Sequence, residues 1–477
     1  MEVSLLANLE PDQREEILSR SVRRRFGRRE ALFYYGSVSD GMHLIRSGRV
    51  MIQISTPTGE EACLTVSGPG ECVGEQSLLV AGGRRSASAI ALEPVETLFL
   101  SRDAFVALRA EDPVHACSPG FWVVSRYEDI RDLSRDPAHF CSGRGALVND
   151  PIRSGASPTV ARSILHMDPP EHAVFRKLVN RQFTPRALSG LEESIRKAAG
   201  RLLDAADARA DTDFVAELAA PFPLTVIAEL LGIEEADRDD FRRWSDAAIE
   251  SPDLPPEETM AALGELSTFI VEHIRAKRER PGQDLVSLLV ASEVDGQPLS
   301  KEELFMFLLT LLVAGNETTR TLLSGGTIVL AEHPDQRELV ATDPALLPGA
   351  VEECLRWVTP VHAFCRTTTE DVVISGTQVR TGDYLCMLYA SANRDERVFG
   401  ADAAVFDVRR PTVPVHLAFG FGEHVCLGAS LARLEARIFY EELLARFPRY
   451  EVTGPVERVL STTVAGIRSL PVVLAPS

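Results

Sequence analysis

Near residue 120 the hydrophobic rhythm of this chain changes, and no single layer architecture accommodates both halves. From residue 30 to 100 the chain reads as short alternating runs broken by glycine, as in "HLIRSGRVMIQISTPTGEEACLTVSGPGECVGE", with turns expected near Gly48, Gly59, Gly68 and Gly70. A period of two puts successive side chains on opposite faces, so this stretch is a small all-β unit. Beyond residue 120, apolar residues recur at helical spacing over Leu191 to Ala208 and Met260 to Arg278, with only short strand-like pieces between. The second half is therefore a mainly helical domain with small β-sheets. A length of 477 residues also exceeds what one ordinary core supports.

The junction carries no Gly/Ser-rich or Pro-rich tether. "SRDAFVALRAEDP" offers Ser101 as N-cap, an apolar stripe of Phe105, Val106 and Leu108, and a stop at Asp112-Pro113. The two domains, 1–104 and 105–477, are thus expected to share a helix of about three turns.

Composition excludes several classes. A formal net charge of -19 argues against a general nucleic-acid or anionic-membrane binder. The eight cysteines lie far apart without a C-x-x-C pair, which fits a reducing compartment and no zinc or disulfide framework. The N-terminal stretch turns acidic before a signal-peptide core can form, and the longest apolar run, Leu304 to Ala314, is too short to span a bilayer. A cytoplasmic protein is expected. The arginines at 23 to 25, 28 and 29 read as a solvated face.

One cysteine stands apart. In "HLAFGFGEHVCLGASLAR", Cys426 sits among glycines at 420, 422 and 428, which mean that the backbone turns tightly or approaches something flat. A lone thiolate ligand on a haem iron pushes charge toward bound oxygen. "FGFGEHVCLG" resembles the haem-binding loop of the cytochrome P450 superfamily. The resemblance implies that Cys426 is the axial ligand of haem b, that Phe419 at the head of the loop is part of the cofactor site, and that His424 touches a haem propionate. "LLVAGNETTR" places small Ala314 and Gly315 beside an acid and a hydroxyl, a set suited to a proton relay. It resembles the superfamily's oxygen-activation helix, which implies catalytic roles for Glu317 and Thr318.

"EECLRW" sets Glu353 and Arg356 one helical turn apart. In the superfamily this pair is a structural lock behind the haem loop, completed by an arginine just before a later "FD". Here Val405 holds that place in "AAVFDVRR", so either Arg409 or Arg410 substitutes or the lock is weaker. "HMDPPEHAVFRKLV" carries His172 and Arg176 on one helical face, and these, with Arg366 in "HAFCRTTTED", resemble propionate ligands. Four motifs fall in superfamily order from about Ala104 to "AGIRSLPVVL". Leu147, Val148, Val313, Ala314, Val361, His362 and Phe364 lie where the family lines its substrate pocket, and their mostly apolar character suggests a terpenoid or polyketide-like substrate of the kind secondary metabolism makes. No G-x-G-x-x-G fingerprint or cysteine cluster is present in the catalytic half, so electrons must come from outside. The family implies a ferredoxin and ferredoxin reductase, docking where Arg433, Arg437 and Lys177 offer positive charge.

In the β unit, "GECVGEQSLLVAGGRRSASAIAL" combines a Gly-Glu pair, a short helical stretch and Arg-Ser-Ala, the parts of a site for one phosphate and one sugar hydroxyl. It resembles the phosphate-binding cassette of cyclic-nucleotide-binding domains of the catabolite activator protein type. By that resemblance Glu75 would bind the ribose and Arg85 and Ser86 the cyclic phosphate, Gly74 would belong to the same site, and cAMP or cGMP would be the ligand. The helix-turn-helix of that family's DNA binders is replaced by the second domain, and a homo-oligomer built on the roll stays open. The expectation is a β-roll fused to a haem-thiolate monooxygenase that hydroxylates or epoxidises an apolar small molecule. The rival is a non-catalytic haem sensor in which the roll mediates assembly.

Overall fold

Among the residues that the computed structural model of the chain describes, 15, 17–55, 61–74, 85, 87–111, 114–117, 121–148, 150–154, 163–207, 212–249, 256–459 and 461–475, eight strands precede Arg102. They are β1 (Val22–Phe26), β2 (Ala31–Phe33), β3 (Gly41–Ser47), β4 (Val50–Ser55), β5 (Glu61–Ser67), β6 (Cys72–Val73), β7 (Ser88–Ala91) and β8 (Val95–Ser101). Two four-stranded sheets result, ordered β1-β8-β3-β6 and β2-β7-β4-β5. Their pairings are antiparallel, as in β3 with β8 and β4 with β5. Period-two patterning does the sorting: Val95, Thr97 and Phe99 of β8 turn inward while Glu96 and Leu98 stay partly exposed. Leu32, Ile45, Val50, Val73, Ala89 and Val95 form a core between them. Gly48 turns β3 into β4 at φ +81°, and a Cβ there would lie 2.4 Å from the Pro94 carbonyl oxygen, so only glycine fits. Gly70 is also left-handed, at φ +92°, whereas Gly68 is not; Gly59 lies outside the described residues.

The expected junction helix forms as α1 (Arg102–Glu111), with the Ser101 hydroxyl accepting from the Ala104 N–H at 3.1 Å. Asp112 and Pro113, its expected stop, lie outside the described residues. The antiparallel pair Val114–Cys117 and Phe121–Val124 follows. The chain divides into two compact units, the first running to Arg126 and taking in Val373–Val379 and Asp383–Leu385, the second holding the rest.

The second unit is built from helices, among them α2 (Tyr127–Arg135), α3 (Glu171–Val179), α4 (Glu192–Asp207), α5 (Pro221–Leu230), α6 (Pro256–Glu279), α7 (Lys301–Glu332), α8 (Leu347–Val358) and α9 (Ala429–Arg446). The helices read from Leu191 to Ala208 and Met260 to Arg278 are α4 and α6. Small sheets accompany them, such as the three strands in which Pro471–Ala475 lies between Thr212–Asp213 and Arg449–Val452. The 32 residues of α7 start at a capping box, Ser300 with Glu303. From Thr319 to Leu330 α7 is buried on every face, which makes it the axis of the unit's core. Before that stretch, Val313 and Ala314 are exposed between buried Leu312 and buried Asn316. Among the described residues no helix is long and apolar enough to cross a membrane.

Candidate active site

The cysteine loop lies between Leu417 and α9. The Cys426 N–H donates to the Phe419 carbonyl at 2.8 Å, closing the loop on itself, and Gly420 and Gly422 adopt φ of +68° and +70°. Their reasons differ. A Cβ on Gly422 would lie 1.9 Å from the Ser134 carbonyl at the end of α2, whereas one on Gly420 would meet nothing closer than 3.8 Å. Gly422 therefore serves the packing of the loop on α2, and Gly420 only the turn. Cys426 is exposed as a residue, yet protein atoms crowd its thiol; burial pushes its pKa up, against the Gly428 N–H and the Arg176 and Arg433 guanidiniums. On its own the group is a thiol, and bound iron would deprotonate it.

Around the loop the expected propionate residues assemble. The rings of His172 and His424 lie tilted at 31° with centroids 4.1 Å apart, and His424 Nε2 is 3.2 Å from the Ser142 hydroxyl. Burial, then Arg366, His172 and Arg176, drive the His424 pKa down to about 3. Burial and Arg176 lower that of His172 as well. Arg176 donates to the Glu423 and Val425 carbonyls and so braces the loop, and buried Arg366 donates to the Cys365 carbonyl at 2.7 Å. An exposed cysteine in this positive field fits a haem, whose iron takes a thiolate and whose two carboxylates favour cationic surroundings. Phe419 is partly buried, with the Arg433 guanidinium 4.5 Å from its ring centroid. Sequence reasoning missed Ser142 and Asp168; the Asp168 carboxylate accepts from the N–H groups of Ser142 (2.6 Å) and Gly143 (2.9 Å). Asp168 lay within the quoted "HMDPPEH" motif, but nothing local signalled either contact.

On α7 the Thr318 hydroxyl donates to the Ala314 carbonyl at 2.7 Å. Glu317 is buried, 3.6 Å from the Arg320 guanidinium, and accepts from the Thr321 hydroxyl at 3.4 Å. Gly315 faces Ile227 of α5, whose Cδ1 would be 3.3 Å from an added Cβ, so this glycine does helix packing and only Ala314 shares the exposed turn. Of the other pocket residues, Val361 bridges to Val464, the His362 N–H donates to the Thr463 carbonyl at 2.7 Å, and Phe364 sits edge-on to Tyr389. Leu147, Val148, Val361, His362 and Phe364 are all partly buried.

The lock on α8 is bidentate, with Arg356 Nε and Nη2 each 2.7 Å from the Glu353 carboxylate. Of the two candidates for the missing arginine, Arg410 takes the place: its Nε is 3.3 Å from Glu353, and its Nη2 donates to the Asp402 and Val405 carbonyls. Arg409 is exposed.

Two groups of expected charges have partners within the protein. Arg433 is held by Glu352 at 2.6 and 2.9 Å, and Arg437 by Glu441 and Glu192, so their charge is balanced within the protein; Lys177 is exposed. In the roll, Arg85 is only 3% exposed, pairs with Asp40 at 2.9 Å, donates to the Gly41 and Gly74 carbonyls and lies 4.1 Å from the Phe33 ring centroid. Gly74, at φ +81°, would place a Cβ 2.3 Å from Arg85 Nη1. Glu75 and Ser86 lie outside the described residues.

Comparison with known proteins matches this geometry. A Cytochrome P450 profile covers residues 257–457 and a Cyclic nucleotide-binding domain profile residues 23–112. A steroid C26-monooxygenase of Mycobacterium tuberculosis is 41% identical over 79% of this chain and 94% of its own. A vitamin D(3) 25-hydroxylase of Pseudonocardia autotrophica is 39% identical over 78% and 93%, and a linalool 8-monooxygenase of Pseudomonas putida 35% identical over 78% and 95%. Among solved structures, a mutant of P450 EryK in complex with erythromycin B superposes with a TM-score of 0.70 at 38% identity, covering 79% of this chain and 95% of that one.

Proposed function

This chain belongs to the cytochrome P450 family, with a cyclic-nucleotide-binding-like domain at its N-terminal end, and we propose that this monooxygenase oxidises an apolar terpenoid- or polyketide-like molecule in the cytoplasm. The carrying observation is Cys426, exposed at the tip of a loop braced by Arg176 and set among cationic side chains. Bound haem would supply the activation of O2, with the Cys426 thiolate holding its iron. The protein's own groups do the rest. Arg366, Arg176, His172 and His424 would bind the propionates. The Thr318 Oγ1, its proton directed at the Ala314 carbonyl, keeps lone pairs to accept from water, and Glu317 beside Arg320 can pass protons inward. Val313, Ala314, Val361, His362 and Phe364 would line an apolar pocket that excludes water. Relatives that act on a steroid, vitamin D(3) and linalool support this substrate class. Electrons would come from a separate ferredoxin and its reductase. Residues 1–104 would form the regulatory roll, taking cAMP or cGMP once the Arg85–Asp40 pair opens, and 105–477 the catalytic domain. If calorimetry finds no heat with either nucleotide, the roll is an assembly module.

The reduced carbon-monoxide complex tests the site. We expect the red-shifted Soret band of thiolate ligation, lost in Cys426→His; a band unchanged by that substitution overturns the assignment.

A further inference from the structure

Of residues 142–152, those described belong to no strand or α-helix, so other contacts must hold the segment. Three anchors do so. At one end the Ser142 hydroxyl lies 3.2 Å from His424, two residues before Cys426. In the middle, the Ala146 carbonyl accepts from the Cys365 N–H at 2.8 Å, beside Phe364 and Arg366. At the far end the Asp150 carboxylate, 5% exposed, gathers the N–H groups of Ala146 (2.9 Å), Leu147 (3.3 Å) and Ile152 (3.1 Å). Its remaining partner is His166, whose Nε2 lies 2.7 Å from Oδ2. The other ring nitrogen, Nδ1, is 3.2 Å from the Ser163 hydroxyl, which accepts from the Leu165 N–H. In the neutral ring this arrangement places the hydrogen on Nε2, toward the carboxylate. His166 closes the short turn Ile164–His166, six residues before His172 on α3. The pair therefore ties the loop bearing Leu147 and Val148 to the turn that leads into α3, the helix whose Arg176 braces the cysteine loop.

We propose that Asp150 and His166 are positioning residues that hold Leu147 and Val148 against the ligand site and so set its affinity for bulky apolar molecules. The inference rests on the haem-site reading above. A loop released from its carboxylate samples other conformations, and apparent affinity falls by the fraction of time the competent one is lost. A small ligand that reaches only the iron does not sense the loop, whereas one with an apolar group beyond the iron does.

The test uses the ferric holoenzyme and two nitrogen ligands, imidazole and 4-phenylimidazole, titrated by the Soret shift. In His166→Leu and Asp150→Asn, 4-phenylimidazole should bind about 10- to 100-fold more weakly, the scale of hydrogen bonds to a charged group. Imidazole should change by less than about twofold, well under the tenfold step that marks a lost interaction. His166→Gln, which keeps a donor, should stay near wild type. A ratio of the two affinities that remains at its wild-type value in both disruptive variants overturns the proposal, as does a His166→Gln that behaves like His166→Leu. If Asp150→Asn does not fold, His166→Leu, which leaves Asp150 its three N–H donors, carries the test. A wild type without the thiolate-type carbon-monoxide band removes the haem reading instead, and is thereby distinguishable.

Discussion

Replacing Arg410 by alanine removes a guanidinium that is 8% exposed and makes contacts in four directions: Glu353 Oε1 at 3.3 Å and the carbonyls of Phe399 (3.3 Å), Asp402 (2.8 Å) and Val405 (2.9 Å). Breaking a buried ion pair costs about 3 to 5 kcal/mol when a charge is left uncompensated. Here Glu353 keeps the bidentate Arg356 and the Asp407 N–H at 3.0 Å, so the lower end applies and the loss should be about 3 kcal/mol. Arg410→Lys keeps the charge without the planar fork and should lose about half of that, in the range of about 1 to 2 kcal/mol. Arg409→Ala is the control: its side chain is exposed, and the change should stay within about 0.5 kcal/mol. Urea titration of the holoenzyme, followed by loss of the Soret band, reads the helical unit alone. If Arg410→Ala shifts the midpoint no more than Arg409→Ala does, the assignment of the third member of the lock fails; a larger effect at Arg409 would transfer the role to it.

Gly422→Ala forces a left-handed alanine, worth about 1 to 2 kcal/mol, and also drives a Cβ into the Ser134 carbonyl, so haem retention on dilution should fall clearly below that of Gly420→Ala, which carries only the first cost. Glu435 on α9 is buried, its Oε2 has no hydrogen-bond partner among the described residues, and burial raises its pKa well above the usual carboxylate range. The folded state therefore binds the extra proton, and stability present below the unfolded pKa is lost as pH rises toward the folded one. Glu435→Gln should remove this decline, so the gap in urea midpoint between variant and wild type should widen from about pH 5 to about pH 8, above the unfolded value of roughly 4.3; a constant gap contradicts it. Thr318→Ala should retain haem yet release more hydrogen peroxide per product with an accepted substrate, and unchanged coupling would rule out its proton-holding role.

Local patterning alone established the two-part architecture, because a period of two and a period of 3.6 are properties of consecutive residues and survive without knowledge of the fold. The motif residues were legible for a related reason: Glu353 with Arg356, and His172 with Arg176, lie within about one turn of each other, so helix geometry itself brings each pair to one face. Tertiary structure decided which distant groups meet. It chose Arg410 over Arg409 for Glu353, 57 residues away, and it paired Arg433 with Glu352 and Arg85 with Asp40, giving one expected docking charge and one expected ligand charge a partner inside the protein. It also separated glycines that look alike in one dimension: Gly422 admits the Ser134 carbonyl, Gly315 admits Ile227, and Gly420 only turns the chain. Spacing along the chain reports which face a side chain occupies, whereas its partner depends on how closely separate elements approach, and that distance exists only in the folded molecule.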